Sequence, residues 1–164
     1  MPRDLTPELI MMVKLYEHQD ETLWNKELIQ RGEFYLNKGA AGKAISKYHL
    51  EAALAYWHTQ KQDTHEKWEN IQQLYNKLLQ IDYSPIAALN RTYALAKANG
   101  NIIAIAEAEK LNLVGNQQYH VLLGHLCKEI EVSKAINHFR KAQSLSKRAS
   151  DKTYLAGLIK SLEK

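Results

Sequence analysis

Apolar positions recur in helical steps along most of this chain. In IQQLYNKLLQIDYSP, Ile71, Leu74, Tyr75, Leu78 and Ile81 fall three or four residues apart and share one stripe of a helix. A last helix over 151–163 carries Tyr154, Leu155, Leu158, Ile159 and Leu162 on one face. Leu23, Leu28, Phe34 and Tyr35 keep a similar spacing in ETLWNKELIQRGEFYL, after Asp20. Punctuation agrees with the pattern. Thr6-Pro7 and Ser84-Pro85 each place a capping hydroxyl before a first-turn proline. Asp63 followed by Glu66 reads as a capping box, Lys38-Gly39 as a helix end, and ANGN at 98–101 as a stop. No segment keeps the two-residue alternation of a half-buried strand. The fold class is all-α, with roughly eight or nine helices joined by short connections that favour antiparallel hairpins.

The pattern also repeats. Shifting the chain by 31 residues lays YALAKANGNIIAIAEAEKLNLV (93–114) on GHLCKEIEVSKAINHFRKAQSL (124–145). Leu95 falls on Leu126, Ala104-Ile105 on Ala135-Ile136, Ala108 on Phe139 and Val114 on Leu145. Small residues let helices approach, and large ones fill the groove behind them. The second copy resembles a tetratricopeptide (TPR) repeat in its Leu-Gly, Ala-Ile, Phe and Ala landmarks, although its period lies below the roughly 34 residues of that family. The expected layout is a single domain over 1–164, a short right-handed TPR-like solenoid. Within it, N-terminal helices over 1–39 pack on the stack, followed by hairpins over 40–83, 84–115 and 116–148 and a capping helix over 149–164. The first hairpin pairs helices over 42–59 and 64–81. The segment YHLEAALAYWHT (48–59), apolar on several sides, is expected to be its buried inner helix.

Charge changes the picture only toward the C-terminus. Residues 1–127 hold 13 Lys/Arg and 14 Asp/Glu, whereas 128–164 hold 9 and 4, so the net charge of +4 is a balance of −1 followed by +5. Such a segment is either a solvated lysine-rich surface or an attractor of nucleic acid or an acidic protein face. No run approaches the roughly 18 apolar residues of a membrane span. The single cysteine, Cys127, excludes an internal disulfide, and a cytoplasmic location without membrane contact is expected.

Candidate chemistry is sparse. His49 and His58 are nine residues apart, about two and a half turns, so they face opposite sides and cannot share a metal. Glu51 lies on a different face from His49. His120 and His125 diverge by about 140°, and His18, His65 and His138 read as isolated. Cys127 reads as a buried inert thiol. Phosphate loops, nucleophile elbows and i, i+4 histidine pairs are absent from the sequence. No cofactor, metal or catalytic residue is expected, and the chain is read as a binding protein rather than an enzyme. The residues expected to line an interaction groove are Trp57 and His58 in the first hairpin, Asn90 and Lys97 in the second, and Val121, His125 and Lys128 in the third. Arg91 is either a polar tie between helices or a fork for a carboxylate partner. The groove is either open or filled by the chain's own terminal helices. A pocket among Tyr48, Tyr56, Trp57 and Trp68 is a third possibility.

Several stretches together resemble one family: EHQDETLWNKELIQRG, YHLEAALAYWHT, DTHEKWENIQQLYNKLLQIDYSPIAALNRTYALAKANG and YHVLLGHL. They are similar to the C-terminal TPR-like extension of a subgroup of extracytoplasmic-function (ECF) RNA polymerase sigma factors, over about His18 to Leu145. The resemblance implies a non-enzymatic bacterial regulator of transcription initiation. It would act on the sigma regions of the same full-length chain, on RNA polymerase, or on a protein or peptide regulator. DNA would be reached only indirectly, through sigma regions 2 and 4. The stretch before His18 is too short to hold those regions, so promoter recognition is not carried over to these residues. A standalone TPR-like adaptor, and nucleic-acid binding through 128–164, are the alternatives.

Overall fold

Short polar residues decide where the helices begin. A computed structural model of the chain describes residues 46–164 and, before them, only positions 26, 27, 30, 31 and 34, which are helical. Residues 46–164 form α1 (Lys47–Thr59), α2 (His65–Ile81), α3 (Pro85–Asn99), α4 (Asn101–Leu111), α5 (Gln117–Cys127), α6 (Val132–Leu145) and α7 (Ala149–Leu162). No strand occurs among the described residues. The described residues are helical without strands, as the periodicity predicts. Residues 46–164 hold seven helices, and apart from those five positions the helices expected over 1–39 lie outside the described residues, as do the signals at Thr6-Pro7, Asp20 and Lys38-Gly39.

Two helix starts differ from expectation. The Ser46 backbone N–H donates to Nδ1 of His49, and Ser46 Oγ lies 2.7 Å from the same nitrogen, so α1 opens at Lys47 rather than at 42. The cap of α2 is Thr64, whose Oγ1 accepts the Lys67 N–H at 3.2 Å, not Asp63. Asp63 is otherwise engaged, because its carboxylate accepts the indole N–H of Trp68. Ser84 caps α3 as predicted, accepting the Ala87 N–H at 3.1 Å. Between α3 and α4 stands only Gly100, at φ 94°, a conformation that a Cβ would strain.

The chain divides into two compact units, Met1–Ala94 and Leu95–Lys164, with the division inside α3. In the first unit α1 packs on α2. Lys47 at the start of α1 pairs with Asp82 just beyond the end of α2, at 2.5 Å, so the two helices run antiparallel. Leu50, Leu54 and His58 form one buried stripe of α1. The remainder of α1 is half-buried or exposed, and Tyr48 keeps 79 % of its surface. The expectation of a helix buried on several sides is therefore corrected: alanine and tyrosine flank a single stripe of three residues spaced four apart. In α2, Trp68, Ile71, Tyr75 and Leu78 are buried, while Ile81, predicted to complete the stripe, lies on the last turn and is exposed.

In the second unit consecutive helices pack on one another, α4 on α5, α5 on α6 and α6 on α7. Helix α5 is buried from Tyr119 to Cys127. Gly124 explains how close it comes to α6, since a Cβ there would stand 2.5 Å from the ring of Phe139. Ala135, Phe139 and Ala142 give α6 a buried stripe of small, large and small residues. Helix α7 buries Leu155 and Ile159, and Gln143 of α6 donates to the Lys152 carbonyl at 3.1 Å. Among the described residues no helix is long and apolar enough to cross a membrane.

Candidate functional site

The eight candidate interaction residues divide evenly by exposure. His58, Asn90, Val121 and His125 are buried, whereas Trp57, Arg91, Lys97 and Lys128 are half-buried. Each sits in the interior or at its margin. Arg91 acts as a tie between helices, its Nε donating to the Asn76 side-chain oxygen of α2. Trp57 meets the Tyr56 ring edge-on at 5.9 Å. His125 meets Phe139 edge-on at 5.1 Å, so it belongs to the α5–α6 contact.

A polar knot lies inside the first unit. The His58 ring stands edge-on to Trp68 at 6.0 Å, and Trp68 stands edge-on to Tyr93 at 5.4 Å. Lys67 is buried beside them, its Nζ donating to the Gln60 carbonyl at 2.7 Å and lying 5.1 Å from the Trp68 ring centre. Burial, reinforced by the Lys67 charge, pulls the His58 imidazole down to about 3. His58 therefore stays neutral and is a poor general base near neutral pH. Burial also pushes the Tyr75 phenol upward, with the Asn90 amide pulling the other way. Tyr48, Tyr56, Trp57 and Trp68 do not gather round one space, since Tyr48 faces solvent while Trp68 is packed in this knot.

The second unit brings together His120, set against His125 in the sequence, and His138, which reads there as isolated. Nδ1 of His120 lies 3.0 Å from Nδ1 of His138, and Nε2 of His120 lies 2.9 Å from the Val114 carbonyl oxygen. The reading of His138 as isolated is thus corrected. Antiparallel register supplies the missing signal: the two positions lie at nearly equal distances either side of the α5–α6 turn, and such positions face each other across a hairpin.

Nearby, Cys127 is buried, and its thiol is pushed up by that burial. It joins Ile102, Ile105, Ile130, Glu131 and Lys134 around a pocket of about 180 Å³, smaller than the roughly 300–1,000 Å³ of ordinary small-molecule sites. Lys134 pairs with Glu109 at 2.9 Å, which holds its ammonium above the usual lysine range. Among the described residues, no three His, Cys, Asp or Glu side chains converge as a metal site.

Over 147 residues the chain is 32 % identical to an uncharacterized protein of Rhizobium meliloti (strain 1021), an alignment covering 87 % of this chain and 35 % of that relative. The chain thus spans about a third of the relative's length. No family model matches the chain, and no solved structure matches it.

Proposed function

We propose that this chain is a TPR-like protein-interaction domain of the kind that extends ECF-type sigma factors. Its helical hairpins would stack as a short right-handed solenoid and act by binding, without catalysis, in the bacterial cytoplasm. Its partners would be the sigma regions of its own full-length chain, RNA polymerase, or a protein regulator, and its effect would fall on transcription initiation. The observation that carries the repeat reading is the nesting of Gly124 against Phe139, flanked by buried Ala135 and Ala142. These are the landmark positions of the TPR-like copy, and Gly124 and Phe139 meet across the α5–α6 hairpin. Binding rather than catalysis is favoured by His58 and Cys127, whose buried neutral forms suit packing better than proton or group transfer. The relative's length supports a place in a larger protein. At roughly 420 residues it has room beside the matched part for two further domains of ordinary size.

The test is transcription by the full-length protein with and without this region, alongside capture of RNA polymerase and sigma regions by the isolated chain. Altered transcription together with capture is expected. Unchanged transcription and unchanged polymerase binding on deletion would refute the reading. A second reading rests on Lys141, Lys147, Arg148, Lys152 and Lys160, which are exposed and, among the described residues, form no ion pair. It is nucleic-acid binding through 128–164, and it requires affinity for duplex DNA that falls steeply with salt.

A further inference from the structure

The His120–His138 contact has only one proton arrangement that satisfies every partner. A carbonyl oxygen accepts and never donates, so Nε2 of His120 must carry its hydrogen toward Val114. In a neutral ring that leaves Nδ1 of His120 bare, and the 3.0 Å contact then requires the hydrogen on Nδ1 of His138. One extra proton is tolerated, because it can sit on Nε2 of His138 while Nδ1–H still points at His120. A second would have to occupy Nδ1 of His120, and two N–H groups would then face each other at hydrogen-bond distance.

We propose that this pair is a pH-sensitive latch between α5 and α6, closed while it carries at most one positive charge and forced apart by a second. The surroundings sharpen it. His120 is buried, and its ring lies 5.1 Å from that of Tyr119 on the same helix. Lys134 on α6 and Glu109 on α4, hydrogen-bonded to each other, are the fixed charges that act on His138, with opposite signs. On α7, Asp151 accepts from Gln117, one turn before His120. Burial first, then His120 and Lys134, hold His138 below the usual imidazole range, while Glu109 opposes them only weakly. Opening would move the helix that carries Val121 and would part His125 from Phe139 one turn further on. The latch stands independently of the interaction reading, since its parts all lie within the second unit.

The test is nitrogen-15 NMR of the histidine rings in the whole chain, titrated from pH 8 to pH 4. Neutral His138 should show the Nδ1–H tautomer, the less common one in water, while His120 shows Nε2–H. Replacing His138 by Leu should abolish the hydrogen-bond signature at Nδ1 of His120, because no donor then faces it. The His138→Gln variant, whose amide can still donate to His120, should keep the wild-type tautomer on that ring. The acid-induced drop in urea midpoint, read by circular dichroism, should be smaller in both variants than in wild type. An Nε2–H tautomer on His138, or an acid-induced drop in urea midpoint left unchanged by both replacements, would overturn the proposal. So would a shift of both Nδ1 signals on adding zinc, which would make the pair a metal chelate.

Discussion

The two compact units fill their interiors with different materials. The first packs rings against rings and admits polar groups: Trp68, Tyr75 and Tyr93 are buried together with His58 and Lys67. The second nests small against large, with Ala104, Ala108, Gly124, Ala135 and Ala142 placed around Leu122, Leu123, Phe139 and Leu155. Regular repeats depend on the second arrangement, since each hairpin must approach its neighbours at the same short distance. A core of aromatic and polar groups is particular to its location. The difference teaches that small residues set the close helix approach in the second unit, while large rings and polar groups fill the first.

Acid should give the largest contrast. The unfolded chain protonates His58 near pH 6.5, whereas the folded chain resists until about 3. Stability from this group is therefore complete above pH 6.5 and falls away as the pH drops toward 3. Over that window the loss reaches about 5 kcal/mol, comparable to the whole stability of a small domain. All three tryptophans lie within residues 1–94, so tryptophan emission reports the first unit while far-ultraviolet dichroism reports both. Emission should change at a higher pH than the bulk of the helical signal, and His58→Phe should move the two together.

Phe139→Ala should remove about 3–5 kcal/mol from the second unit. In urea, the dichroism midpoint should fall while tryptophan emission moves little. Coincident shifts in both signals would break the comparison, because the units would then unfold as one cooperative body. Gly124→Ala is the converse change. The added methyl meets the buried Phe139 ring, and overpacking of about 1–3 kcal/mol outweighs the gain in helix propensity of roughly 1 kcal/mol. Thermal unfolding followed by dichroism should show a lower midpoint than wild type. Smallest of all, Thr64→Ala removes the α2 cap and should cost about 1 kcal/mol, seen in the emission-detected midpoint.

The helical class and the breaks at Asn99–Asn101 and Ser84-Pro85 were legible in the sequence because periodicity and caps are local signals. The repeat landmarks singled out Gly124 and Phe139, but their contact emerges only from the structure. Other features depend on contacts that local spacing does not encode. Asp63 looked like a cap, yet its carboxylate meets an indole five residues on, and Thr64 takes the role instead. Lys67 gave no hint of burial, because a long side chain can fold its ammonium back to the Gln60 carbonyl. The His120–His138 pair required hairpin register, which single-helix geometry ignores. Val121 and His125 were chosen as groove residues by repeat analogy, and their burial comes from α6 lying directly against α5.

Cys127 is the chain's single thiol and sits at the end of the fully buried stretch of α5. A maleimide or disulfide reagent can reach it only when that end of the helix opens, so its labelling rate at fixed pH measures the free energy of local opening. The molecule thus carries two native reporters, indoles in one unit and a thiol in the other, and the energetics of each can be followed without adding a label to the sequence.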